Sequence, residues 1–121
     1  MKILIVEDEN VIRENTLEML EIKGHDAIGA SNGNDAIEKL KSFDPDIIFC
    51  DIMMPQMDGF EFLRLFKLMP QSNNVPFVFL SAKAEQQDRE YAMSLGANDF
   101  LLKPFSFSDL FEVINKYSKK A

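Results

Sequence analysis

The stretch "IIFCDIMMPQMDGF", residues 47–60, runs four apolar residues straight into Asp51 and stays largely apolar until Asp58. A run this short, bounded by polar residues, reads as a strand buried on both faces, the pattern of a parallel sheet. Its last side chain is a carboxylate. In a parallel sheet the loops after the C-terminal strand ends converge on a crevice, so a charged residue there is a candidate for chemistry.

Working outward from Asp51, four more runs have the same character: residues 2–6, 26–30, 77–80 and 99–102, beside 46–50 around the opening stretch. Between and after them, residues 10–23, 34–41, 59–69, 84–95 and 107–117 carry apolar side chains at helical spacing, and Gly24 closes the first helix. Each parallel crossover needs a dozen or so residues, and a helix supplies them. The alternation predicts an α/β fold, a five-stranded parallel sheet with five helices on both faces.

Composition narrows the function. The 121 residues fit one domain spanning 1–121, and 46% hydrophobic with 27% charged residues is an ordinary globular balance. A net charge of -7 opposes binding to nucleic acid or an anionic membrane. One cysteine, an acidic N-terminus and no apolar run near twenty residues predict a cytoplasmic protein.

The strand ends collect Glu7, Asp8 and Glu9 after the first, Asp51 on the third, Ser81 on the fourth and Lys103 on the fifth. With the first and third strands adjacent, each like-charged pair at about 4 Å costs roughly 4 kcal/mol at an effective dielectric of 20. A cation is needed to neutralise them. Oxygen ligands without cysteine or histidine suit a hard divalent ion, and Mg²⁺ better than Ca²⁺. Taken singly, each carboxylate also fits a solvated turn or a helix N-cap.

The segments "ILIVEDE", "CDIMMPQMDGF", "FLSA" and "GANDFLLKPF", in this order and spacing, resemble the receiver domain of two-component response regulators over about residues 2–117. The resemblance implies a flavodoxin-like sheet of order 2-1-3-4-5 and phosphorylation of Asp51 by a sensor histidine kinase or a phosphotransfer protein. It implies Mg²⁺, with Mn²⁺ as a substitute, held by Asp8, Asp51 and the backbone carbonyl of Met53, with Glu7 acting through a metal-bound water. Lys103 then pairs with the phosphoryl oxygens, its bond to Pro104 is cis, and Ser81 and Phe100 are the switch pair that alters the face of the fourth helix, fifth strand and fifth helix. Met53 and Lys83 tune hydrolysis of the phosphoryl group. The output is a downstream protein or a fused effector domain, the chain being stand-alone or a fragment, and a monomer or a phosphorylation-dependent dimer. Kinase docking is expected over Val11, Ile12 and Asn15 and the loop after Lys103.

Three other readings compete. A phosphatase of the haloacid dehalogenase type also uses an aspartyl nucleophile with Mg²⁺, but its general acid-base position is occupied here by Met53, which transfers no proton. A flavodoxin-like flavin carrier needs a phosphate-receiving loop after the first strand, and "EDEN" repels phosphate. A docking-only pseudo-receiver is disfavoured by Asp8, Asp51, Ser81 and Lys103 occurring together. The expectation is a signalling switch and not an enzyme in the usual sense.

Other conspicuous residues have ordinary readings. His25 belongs to a surface turn, Cys50 to the core, and Asp58 to the turn into the third helix. That helix carries more apolar residues, Phe60, Phe62, Leu63, Leu65, Phe66, Leu68 and Met69, than one buried stripe requires. A partner patch and cover by neighbouring segments both account for them.

Overall fold

The computed structural model describes residues 1–82 and 85–118. Strands β1 (Lys2–Val6), β2 (Asp26–Ala30), β3 (Ile47–Asp51), β4 (Phe77–Ser81) and β5 (Asp99–Leu102) alternate with helices α1 (Asn10–Ile22), α2 (Gly33–Lys39), α3 (Gly59–Lys67), α4 (Gln86–Ser94) and α5 (Phe107–Ser118). All four strand pairings are parallel, in the order β2-β1-β3-β4-β5. The α/β architecture is therefore the expected one.

Strand periodicity builds two cores, because successive side chains face opposite sides. Ile3, Ile5, Ile47, Phe49, Val78, Leu80 and Leu101 face one side, under Leu20 of α1 and Leu110 and Ile114 of α5. Leu4, Val6, Ile48, Cys50, Phe77, Phe79 and Phe100 face the other, packed by Ala36, Phe62, Leu63, Phe66 and Ala92 of α2, α3 and α4. β1, β3 and β4 are covered on both faces, whereas β2 at the edge is only partly buried.

Local signals fix the helix ends. Gly24 takes φ +89°, and the amides of Gly24 and His25 return to the carbonyls of Glu21 and Leu20, a left-handed C-terminal cap. The Asp58 carboxylate accepts from the Glu61 amide at 2.9 Å and caps α3. Ser106 and Asp109 exchange side chain to backbone bonds and cap α5.

The boundaries differ in a few places for local reasons. α3 stops at Lys67, two residues before the expected 69, because Pro70 forces Met69 into extended backbone and opens a 3-10 turn, Pro70–Ser72. α2 spans Gly33–Lys39 where 34–41 was expected, since Asn32 caps it from one residue earlier. β3 and β4 each reach one residue further, to Asp51 and Ser81, because the Ile52 amide and the Ser81 carbonyl extend the ladder toward Leu80 and Lys103.

The apolar surplus on α3 is mostly covered. Phe60 meets Phe79 and Tyr91 edge-on at 5.3 and 4.9 Å, Phe62 and Phe66 pack on Phe77, and only Leu68, 82% accessible, is fully exposed. His25 lies at the opposite end of the sheet from Asp51, its Nδ1 3.3 Å from the N-terminal ammonium. Among the described residues no helix is long and apolar enough to cross a membrane.

Candidate functional site

The C-terminal strand ends bring together the residues singled out in the sequence. Asp51 ends β3 and Ser81 ends β4, and both side chains are buried, at 7% and 6% accessibility. Glu7, one residue past β1, is fully buried, while Asp8 is exposed. One carboxylate oxygen from each of Glu7, Asp8 and Asp51 lies within 4.8 Å of the others. Backbone bonds hold the supporting segments: the Lys103 amide donates to the Ser81 carbonyl at 2.8 Å, and the Gly59 amide to the Ile52 carbonyl at 2.8 Å.

Gly59 explains the D-G dipeptide at the start of α3. A Cβ there would stand 2.4 Å from the Asp51 carbonyl oxygen and 2.9 Å from Ile52 Cα. Only glycine lets the helix N-terminus approach the backbone of the acidic strand this closely.

Lys103 is the resident cation of the cluster. Its Nζ lies 2.5 Å from Glu7 Oε1 and 3.0 Å from Asp51 Oδ2. The Lys103–Pro104 peptide bond is cis, as expected. Burial pushes the Glu7 carboxyl up to about 7, helped by the Asp51 charge and opposed by Lys103 and the Glu9 amide. Burial by itself would lower the Lys103 ammonium, yet its two carboxylate partners leave it raised. Sequence reasoning put Lys103 at the site but not its pairing with Glu7, which depends on how two loops far apart in the chain close.

Asp51 Oδ1 faces the Met53 amide at 3.4 Å, and the Met53 side chain is 78% exposed. Cys50 points to the far side of β3 and is fully buried; burial, with the charges of Asp51, Glu7 and Asp58, pushes its thiol well up. It is an inert core residue. Phe100 is 9% accessible, against Phe79 at 5.9 Å and under the Arg89 guanidinium at 5.4 Å. Lys83 lies outside the described residues.

Arg13 did not stand out in the sequence. Its Nη1 donates to the Glu7 carbonyl at 2.7 Å. The only cue is a basic residue five positions after Asp8; the bond spans six residues and depends on how α1 turns back over the end of β1.

The acidic triad fits a hard divalent cation. Its donors are all oxygen, and no aligned hydrogen bond reaches the buried Glu7 Oε1 among the described residues, so the Lys103 ion pair alone faces it.

The family model described as response regulator receiver domain matches residues 3–115. The chain is 38% identical over 109 residues to the sensory transduction protein BceR of Halalkalibacterium halodurans, covering 90% of this chain and 46% of that protein. It is 40% identical over 105 residues to the alkaline phosphatase synthesis transcriptional regulatory protein PhoP of Bacillus subtilis, covering 87% and 43%. It thus spans about half the length of these curated relatives. Among solved structures, the chemotaxis protein CheY4 of Vibrio cholerae superposes with a TM-score of 0.93 at 28% identity, over 96% of this chain and 97% of that one. The receiver domain of the sensor histidine kinase PA1611 of Pseudomonas aeruginosa, solved with a magnesium ion coordinated in its active site cleft, superposes with a TM-score of 0.86 at 30% identity, over 96% and 95%.

Proposed function

The chain belongs to the response regulator receiver family, and from that premise we propose that it is a Mg²⁺-dependent phosphorylation switch with Asp51 as phosphoacceptor. The observation that carries this is the buried Asp51 carboxylate, within 4.8 Å of oxygens from Glu7 and Asp8 and 3.0 Å from the Lys103 ammonium. A carboxylate oxygen of Asp51 attacks the phosphorus of a phosphohistidine; the P–N bond breaks, an acyl phosphate forms, and the histidine leaves neutral after taking up a proton.

Asp8, Asp51 and the Met53 carbonyl would hold Mg²⁺, with Glu7 acting through a coordinated water. The ion supplies charge neutralisation at the phosphoryl oxygens. Lys103 is placed to turn from Glu7 to those oxygens, and Ser81, at the end of the neighbouring strand, to hydrogen-bond them. Met53 offers no acid or base, so the acyl phosphate persists as a signal requires.

Partner docking is supported by a groove of about 410 Å³ beside the site, lined by Ile12, Asn15, Thr16, Lys103, Pro104 and Phe105. A phosphohistidine protein laid along it reaches Asp51 over the α1 edge. Val11, 70% exposed beside this edge, extends the contact.

The output is carried to the α4–β5–α5 face. Phosphorylation favours the arrangement with Phe100 turned inward, and since the ring already packs against Phe79 without a phosphoryl group, it acts by raising the population of a state the chain already holds. A full shift from 1:99 to 99:1 would take about 5.5 kcal/mol of preference; with the ring already inward, the phosphoryl contacts to Lys103 and Ser81 have less to supply and the activation ratio is modest.

The test is phosphorylation by a small phosphoramidate donor. Mg²⁺ should be required, the added phosphoryl should map to Asp51, and Asp51→Asn and Asp8→Ala should both abolish uptake. Phosphorylation that survives Asp51→Asn, or that proceeds at full rate with all divalent ions chelated, overturns the reading.

A further inference from the structure

We propose that Arg13 is the positioning residue of the acidic loop, holding Asp8 where a divalent cation is bound, and that Gly29 supplies the space in which it does so. The inference rests on the metal-site reading given above and concerns residues that touch neither metal nor phosphoryl group.

Arg13 stands in the second turn of α1 and sends its side chain across the edge strand β2. A Cβ on Gly29 would come within 2.9 Å of both Arg13 Cδ and Leu17 Cδ1 and 3.1 Å of Arg13 Cγ. A larger residue at 29 therefore crowds the Arg13 stem together with the neighbouring Leu17 methyl. Beyond it the guanidinium forks, Nη1 to the Glu7 carbonyl at 2.7 Å and Nη2 to Asn10 Oδ1 at 2.6 Å. The Glu7 amide is itself tied to the Ala30 carbonyl of β2 at 3.0 Å. Glu7 is thus pinned on both sides, by the sheet through its N–H and by Arg13 through its C=O.

The second of these bonds sets Asp8. The carbonyl of Glu7 and the amide of Asp8 share one planar peptide, so fixing the oxygen fixes the direction in which the Asp8 Cα leaves β1. Asp8 is the exposed member of the triad, and packing constrains it less than Glu7 or Asp51. A charge-assisted bond to the preceding carbonyl replaces the missing packing.

Charge alone predicts the opposite effect. A guanidinium near a cation site repels the incoming ion, so removing its charge should tighten metal binding. The sign of the change therefore separates positioning from simple electrostatics.

The experiment is calorimetric titration of the purified protein with MgCl₂, together with amide NMR of the metal-free form. Arg13→Met should weaken Mg²⁺ binding on the order of tenfold, the effect expected when a support for a ligand is lost, and should shift the Asp8 amide resonance before any metal is added. Arg13→Lys, which keeps the charge but not the fork, should fall between wild type and Arg13→Met. Gly29→Ala, in which Arg13 is still present, should weaken binding similarly, and the double variant should bind no more weakly than Arg13→Met alone. Binding by Arg13→Met as tight as or tighter than wild type overturns the proposal, as does a double variant in which the two losses multiply. Failure of the wild-type protein to bind Mg²⁺ would instead defeat the metal-site reading itself.

Discussion

Lys103 and Glu7 form an ion pair of 2.5 Å in which the carboxylate is completely buried, and the same ammonium reaches Asp51 at 3.0 Å. One cation thus serves two acids. Replacing Lys103 by Met removes the cation from both, and breaking a buried pair from one side costs about 3–5 kcal/mol. Proton uptake by Glu7 offsets part of this, because the partner that held its carboxyl down is gone. Urea denaturation at about pH 8, above the Glu7 value of about 7, should show that loss in metal-free protein, and Mg²⁺ should recover part of it. An unchanged midpoint would show that the pair contributes nothing.

Gly59→Ala places a methyl group 2.4 Å from the Asp51 carbonyl oxygen, and neither that oxygen nor Ile52 Cα can rotate away. Overpacking of this kind costs about 1–3 kcal/mol. The variant should melt earlier and accept phosphate more slowly, because α3 retreats from the strand that carries Asp51. Thermal unfolding and the rate of phosphoryl uptake measure the two effects separately.

Met53→Asn should leave stability within about 0.5 kcal/mol, since an exposed side chain carries little packing. The half-life of the phosphorylated protein should shorten, because a carboxamide can orient the attacking water and a thioether cannot. Equal half-lives for the two proteins would remove Met53 from the control of hydrolysis.

The Asp99 carboxyl supplies a pH dependence away from the metal site. Burial raises it, but hydrogen bonds from Lys116, the Phe100 amide and Tyr117, with the Lys116 charge, outweigh burial and hold it below its ordinary value. A depressed carboxyl stabilises the fold above its unfolded value of 3.8, and the contribution fades as pH falls through the lower folded value. The stability difference between wild type and Asp99→Asn should therefore be largest near neutrality and shrink below about pH 4. Denaturation curves across that range read it directly.

The sheet was legible because its determinants are local in sequence. Short runs such as "KILIV" and "IIFC", bounded by polar residues and alternating with helical stretches, read as strands of a doubly covered sheet, and Gly24 and Asp58 mark chain turns by their own backbone preferences. The strand ends then followed from topology, which places Glu7, Asp8, Asp51, Ser81 and Lys103 on one rim. Pair geometry was not legible. The Lys103 contact with Glu7, the path of Arg13 over Gly29 and the cover that Tyr91 gives Phe60 each join segments distant in the chain, and no periodicity encodes them.

The placement of Tyr91 and Tyr117 has a spectroscopic consequence. The chain has no tryptophan and only these two tyrosines, one on α4 with its ring edge-on to Phe60 at 4.9 Å, the other on α5 with its hydroxyl 3.1 Å from Asp99. All intrinsic near-ultraviolet fluorescence beyond that of phenylalanine therefore originates on the two helices that flank β5. The unmodified protein carries its own optical probes there, and a change in tyrosine emission or quenching on phosphoryl uptake reports rearrangement of that face without an added label.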